Sequence, residues 1–151
     1  MDQIGFLVYL NKCVGCKACE IACKNRQHLA VPGPRPRRVQ ITEEGVFPNT
    51  KVTSLSLSCM HCADPACVAN CPAGALSKDE NDGSVKVDVN RCIGCKTCQV
   101  ACKDRRDIQV AGPRLRRVDT FECGTYPEVA MFHLNLSCNH CESPACVANC
   151  P

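Results

Sequence analysis

The chain contains no tryptophan, two tyrosines and four phenylalanines in 151 residues. The large side chains that dominate an ordinary apolar interior are therefore nearly missing, and a hydrocarbon core would be thin for this length. No apolar run approaches the roughly 18 residues of a membrane span, so the expectation is a soluble chain with no direct span of the bilayer. A secretory leader is not visible either. The opening MDQIGFLVYLNKC begins with an acidic residue and offers a seven-residue apolar run, without the basic lead-in or the small-residue cleavage site that export requires. Secretion with a disulfide framework is disfavoured on that ground. No phosphate-binding loop, flavin fingerprint or nucleophile with an adjacent base is found, so the chain is not expected to be an enzyme by itself.

What fills the gap is cysteine: 17 residues, about 11 per cent of the chain, a level at which thiol chemistry becomes the leading expectation. In a reducing compartment, clustered thiols read as metal ligands. Sliding the sequence over itself reveals a single dominant offset of 79. Cys13, Cys16, Cys19 and Cys23 return as Cys92, Cys95, Cys98 and Cys102, and Cys59, Cys62, Cys67 and Cys71 return as Cys138, Cys141, Cys146 and Cys150. Residues 13–39 agree with 92–118 at 16 of 27 positions, including Gly-Pro-Arg-x-Arg-Arg-Val at 33–39 and 112–118. The chain is an internal repeat, 1–72 against 80–151. Cys123 aligns with Glu44 and so has no partner in the repeat; it reads as a free structural thiol.

Short strands and short helices are expected around these groups. The apolar run at residues 4–10 suits a strand; Leu55 and Leu57 alternate with serines, and Leu134 and Leu136 flank Asn135. Val85, Val87 and Val89 alternate after Asn-Asp-Gly at 81–83, a hairpin signal. Pro65 and Pro144 each precede ACVANC, a segment suited to one or two helical turns. Three prolines in residues 31–38 predict loop.

Groups one and three read C-x2-C-x2-C-x3-C; groups two and four read C-x2-C-x4-C-x3-C-P. In the bacterial ferredoxin motif, three closely spaced thiolates grip one [4Fe-4S] cube and the fourth ligates a neighbouring cube. Reaching three corners of a cube from one short loop demands close spacing and small residues, and Gly15 and Gly94 are expected to let the backbone approach the cluster. Zinc is the alternative, because separated C-x2-C pairs make tetrahedral sites, and a thiol-rich metal store is a third. Neither explains a third and fourth cysteine at fixed spacing in four groups. Four [4Fe-4S] clusters held by all sixteen repeated cysteines is the expectation.

Two histidines, His61 and His140, each precede a ligand cysteine at equivalent places. A hydrogen bond donated to sulfur would raise a cluster's potential, and half-burial with no special effect is the blander reading. Formal charge is +3 before cysteines are counted, while an oxidised cube with four thiolates carries roughly −2, so four clusters take the assembled molecule to roughly −5. Lys12, Lys17, Lys24, Arg91, Lys96 and Lys103 flank ligands and would offset cluster charge, so nucleic-acid binding need not be invoked. Arg35, Arg37 and Arg38, with Arg114, Arg116 and Arg117, read as solvated loops or as docking points for an acidic partner face or lipid headgroups.

NKCVGCKACEIACKN, then SLSCMHCADPACVANCPAGAL, then VDVNRCIGCKTCQVAC resemble the iron-sulfur electron-transfer subunit of the dimethyl sulfoxide reductase and polysulfide reductase family, with the same four-group layout. The resemblance covers essentially the whole chain. It implies an α+β fold of two bacterial-ferredoxin-type modules, poor in regular secondary structure, and a relay subunit docked between a molybdopterin-type catalytic subunit and a quinol-oxidising membrane anchor. With no export signal visible the cytoplasm is the default expectation, and the resemblance adds membrane association or co-export with a twin-arginine-tagged partner. Two departures stand out. Cys102 is followed by Lys103 where the family continues with proline, and the fourth group ends at Pro151 without the strand-like stretch that follows Pro72, which reads as a fragment or as an engineered or recombined gene. Twenty residues separate Cys71 from Cys92, whereas 35 separate Cys23 from Cys59 and Cys102 from Cys138. Groups two and three are thus expected to form a central module, 52–108, with 1–51 and 109–151 forming the other, as in the family. Cross-ligation then predicts cubes held by Cys59, Cys62, Cys67 and Cys102; by Cys92, Cys95, Cys98 and Cys71; by Cys13, Cys16, Cys19 and Cys150; and by Cys138, Cys141, Cys146 and Cys23. The duplication keeps a sequential pairing, group one with two and three with four, as a competitor.

Overall fold

The computed structural model describes residues 5–109, 112 and 114–151. Regular structure is short and arranged by the 79-residue repeat. In the first half, α1 (Ala18–Arg26) is followed by β1 (Arg38–Val46), β2 (Asn49–Leu57) and α2 (Ala66–Ala69). A small hairpin, β3 (Leu76–Lys78) and β4 (Val85–Val87), leads to the second half, where α3 (Thr97–Arg105), β5 (Arg117–Thr125), β6 (Glu128–Leu136) and α4 (Ala145–Ala148) repeat the order. Among the described residues the strands form three separate antiparallel pairs, β1 with β2, β3 with β4, and β5 with β6. This is the expected α+β ferredoxin type, short helices and hairpins with little else.

The long hairpins form because β-branched and threonine-rich stretches meet across a two-residue turn. Arg38 pairs with Leu57 and Val46 with Asn49 in one; Arg117 pairs with Leu136 and Thr125 with Glu128 in the other. Their tips stand out from the body, with Phe47 87 % and Tyr126 91 % exposed. The total accessible surface is 10015 Å², against roughly 7,500 Å² for a compact monomer of this mass. What interior exists is part thiol: Cys67 and Cys98 pack with Leu76, Val85 and Val118, flanked by Val68, Cys71 and Val87.

In groups one and three the C-x3-C spacing places both thiols one turn apart on a helix, whereas in groups two and four the last thiol lies just beyond the single helical turn. Cys19 and Cys23 ride on α1, Cys98 and Cys102 on α3, and Cys67 and Cys146 on the single turns after Pro65 and Pro144. Helix α1 packs on α4, and α2 on α3.

The strand expected at residues 4–10 is not found over 5–10, residue 4 lying outside the described residues. Residues 6–8 are the repeat counterparts of β4, and among the described residues no strand lies beside them. Without a ladder partner an apolar run is not a strand. The strands at Leu55–Leu57, Leu134–Leu136 and Val85–Val87 and both proline-started turns are present, whereas β1, β5, α1 and α3 were not anticipated.

Candidate metal centres

Two cavities in the middle of the chain are lined by four thiols each. One is walled by Cys59, Cys62, Cys67 and Cys102 with Leu115 and Arg116. The next is walled by Cys71, Cys92, Cys95 and Cys98, with Ala75 and Leu76 closing it. In each, three thiols come from one group and the fourth from the other. A third, more open space, about 220 Å³, has Cys13, Cys19, Cys146 and Cys150 on its walls beside Phe6, Val8 and Tyr9. Cys16 is exposed and does not line it. Cys23 is buried among Cys138, Cys146 and Cys141, whose charges all act on it. Cys123 is exposed on β5, apart from all of these.

Burial pushes these thiols up. Cys23 is driven to about 12 by desolvation and then by Cys138 and Cys146, and Cys102 to about 11 by desolvation and then by Cys59 and Cys67. Burial likewise raises Cys19, Cys67, Cys98 and Cys146. Only a strong Lewis acid converts such thiols to thiolates near neutrality, and binding it releases their protons. Cys95 is lowered, the Thr97 hydroxyl bonding to it.

The Gly-Pro-Arg-x-Arg-Arg-Val repeat supplies a feature that the sequence reading missed. Rather than being solvated or turned to a partner, Arg37 and Arg116 are buried, at 3 % and 0 % exposure. Arg116 Nη2 donates to Cys59 Sγ at 3.5 Å and Nη1 to Asn135 Oδ1 at 2.9 Å. Arg37 Nη2 donates to Cys138 Sγ at 3.8 Å and Nη1 to Ser56 Oγ at 3.0 Å, its guanidinium stacked 4.4 Å from the Phe6 ring centre. Among the described residues neither cation pairs with a carboxylate, and both Nε atoms lack a partner. A buried, unpaired cation is strongly unfavourable. The donor set and these two charges therefore fit an anionic iron-sulfur cluster bound by the adjoining thiolates.

Of the cations expected to offset cluster charge, Lys24 donates to Val31 O at 2.7 Å and Lys12 lies 5.4 Å from the Tyr9 ring. Arg106, not anticipated, reaches Cys62 Sγ at 3.2 Å. Arg35 instead ties down Glu20 at 2.6 Å.

Two devices fix the thiol-bearing helices. Buried Glu20 on α1 accepts the Val39 N–H of β1, and Gln99 on α3, its repeat counterpart, accepts the Val118 N–H of β5 at 2.9 Å. His61, 3 % exposed, accepts Val85 N–H on Nδ1 at 2.7 Å. Its Nε2 must then carry the proton donated to Cys138 O. His140 Nε2 donates to Cys59 O at 2.8 Å, and the two rings meet edge to face at 4.5 Å. The two histidines, read as donors to sulfur or as half-buried without special effect, thus donate through Nε2 to the backbone of the opposite half. Desolvation and, less, the His140 charge lower His61, consistent with its neutral form.

Gly94 lines the second four-thiol cavity, and Gly15 and Gly94 meet a further demand besides the expected approach to a cluster. Both have left-handed φ, 71° and 68°, and what approaches them is a hairpin side chain. A Cβ at Gly15 would sit 2.7 Å from Ser54 Oγ; at Gly94 it would sit 2.5 Å from His133 Cε1.

Among the described residues no three His, Cys, Asp or Glu side chains converge as a single bound ion requires, and no helix is long and apolar enough to cross a membrane. Residues 50–107 match a 4Fe-4S dicluster domain and residues 10–26 a 4Fe-4S binding domain. A sulfite dehydrogenase subunit of Allochromatium vinosum is 41% identical over 116 residues, covering 68% of this chain and 48% of its own. One of the anaerobic dimethyl sulfoxide reductase polypeptides of Escherichia coli is 44% identical over 108 residues, 66% of this chain and 52% of its own. The arsenate respiratory reductase iron-sulfur subunit ArrB of a Shewanella species is 40% identical over 100 residues, 66% of this chain and 42% of its own. The chain spans about half the length of the curated relatives it matches.

Proposed function

The chain is a ferredoxin-type 4Fe-4S dicluster protein related to a subunit of the anaerobic dimethyl sulfoxide reductases, and from that premise we propose that it relays single electrons through four [4Fe-4S] clusters within an oxidoreductase complex. The observation that carries this reading is the pair of four-thiol cavities flanked by a buried cation without a carboxylate. Cys59, Cys62, Cys67 and Cys102 hold one cluster, and Cys71, Cys92, Cys95 and Cys98 the next. Cys13, Cys16, Cys19 and Cys150 hold a third, and Cys23, Cys138, Cys141 and Cys146 the fourth. The packing of α2 on α3 and of α1 on α4 supports grouping residues 52–108 as one module and 1–51 with 109–151 as the other.

A bound iron-sulfur cube supplies one-electron chemistry, gaining or losing an electron with little rearrangement. The chain's part is to present thiolates at fixed spacing, to balance their charge, and to brace the loops with the hairpins. Substrate chemistry belongs to a partner. A molybdopterin-type catalytic subunit on one side and an electron donor, such as a quinol-oxidising membrane anchor, on the other are the proposed neighbours, supported by the reductase and dehydrogenase names of the relatives. The chain works in the cytoplasm or is carried across the membrane with a tagged partner.

The zinc module is disfavoured because four thiolates about 2.3 Å from one ion would draw the side chains closer than they lie. Anaerobic purification tests the reading directly: about 16 iron and 16 acid-labile sulfide per chain with a cubane EPR spectrum on reduction are expected. Colourless protein with stoichiometric zinc would overturn it.

A further inference from the structure

Arg116 does not stop at one cavity. Its Nη2 donates to Cys59 Sγ, and its Nη1 donates to Asn135 Oδ1, while Asn135 Nδ2 donates to Cys98 Sγ at 3.5 Å. Cys59 lines one four-thiol cavity of the central module and Cys98 the other. The other half repeats the arrangement one period away. Arg37 reaches Cys138 Sγ and Ser56 Oγ, and Ser56 Oγ lies 3.8 Å from Cys19 Sγ. In both halves a buried guanidinium thus stands between two thiol sets, touching one directly and the other through a short polar side chain of the hairpin.

We infer that Arg37 and Arg116 are shared counter-cations, each serving both clusters of one module through a direct hydrogen bond to a ligand of one and through a hairpin side chain, Ser56 or Asn135, to a ligand of the other. The inference rests on the four-cluster reading above and assigns the two arginines a role that a solvated loop could not have. A positive charge held at 0–3 % exposure is little screened by solvent or salt, so it favours the reduced, more negative form of both neighbours. Hydrogen bonds to ligand sulfur act in the same direction. The two clusters of a module are then tuned together by one residue, and each module is tuned separately. Arg106, which also reaches Cys62 Sγ but is exposed, serves the Cys59 cluster alone and is subject to salt screening.

The test is a potentiometric EPR titration of the full chain, with signals first assigned through Cys59→Ser and Cys98→Ser. Arg116→Met is expected to lower the reduced-to-oxidised ratio at fixed poise at least tenfold, about 59 mV for a one-electron couple, for the Cys59 and Cys98 clusters together. The two clusters of the other module stay unmoved. Arg37→Met gives the mirror result. Arg116→Met with full iron and unshifted potentials, or with one shifted cluster only, overturns the inference. If Arg116→Met does not retain its iron, Asn135→Ala decides, since it keeps the cation and cuts one arm. The Cys98 cluster alone should then become harder to reduce, and no shift there overturns the proposal. Wild-type protein lacking cubane signals would instead sink the four-cluster reading, a separate and recognisable outcome.

Discussion

Gly94→Ala tests how the hairpins brace the cluster loops. The new methyl meets two penalties. Holding an L-residue at φ 68° costs about 1–2 kcal/mol. The Cβ also falls 2.5 Å from His133 Cε1 and 2.6 Å from Cγ, and closer to Nδ1, so the ring must swing away and release Thr120 Oγ, now 3.2 Å from Nδ1. That adds about 0.5–1.5 kcal/mol for the hydrogen bond. The sum is roughly 2–4 kcal/mol once lost packing is included, or roughly 4–16 °C in the midpoint of a chain this size. Gly33 also has positive φ, 96°, but nothing lies within 4 Å of its Cβ position, so Gly33→Ala should cost only the backbone share, at least about 1–2 kcal/mol because this φ lies beyond the left-handed well. Gly15→Ala should fall between them, because the Ser54 hydroxyl rotates more easily than an imidazole ring. Thermal loss of the visible cluster absorption, followed anaerobically, reads all three. In a His133→Ala background the cost of Gly94→Ala should drop to its backbone share, about 1–2 kcal/mol. An equal cost with and without His133 would refute the clash as the cause.

Cys23→Ser should remove iron from the group of Cys138, Cys141 and Cys146 while the Cys59 group stays loaded, as iron counts and EPR signals will report; damage falling on the Cys59 group would instead favour sequential pairing. Glu20→Ala should destabilise by about 2–3 kcal/mol, because the Val39 N–H is left without its charged acceptor. Glu20→Gln keeps an acceptor, as Gln99 does naturally, and should cost under about 1 kcal/mol, the pair with half-exposed Arg35 being worth little. Chemical denaturation separates the two, and equal losses would remove Glu20 from its anchoring role.

Much of the site was legible because ligand spacing is a local property. C-x2-C and C-x3-C fix which thiols share a loop or a helix face, and the period of 79 announced a second copy before any fold was known. The hairpin Leu76–Val87 and the turns after Pro65 and Pro144 were readable from turn chemistry. Helices α1 and α3 were not, since no side-chain cap marks their starts and each begins from a lysine in the left-handed region. The strands β1 and β5 were hidden by glutamates and by an alternation weaker than that of their partners. Arg37 and Arg116 looked like the rest of an exposed basic run, for nothing within seven residues distinguishes a cation that turns inward from one that does not.

The sequence by itself determined that this protein is built around thiols in four groups, in two copies, with too little hydrocarbon to do without them. Short-range spacing carries that information because the ligands of one group lie within a few residues of each other. Tertiary structure alone decided that His61 and His140 clasp the opposite half and that two arginines stand buried between thiol sets. Those are choices between residues 37 to 101 positions apart, made by helix packing and by the need to neutralise charge where water is excluded.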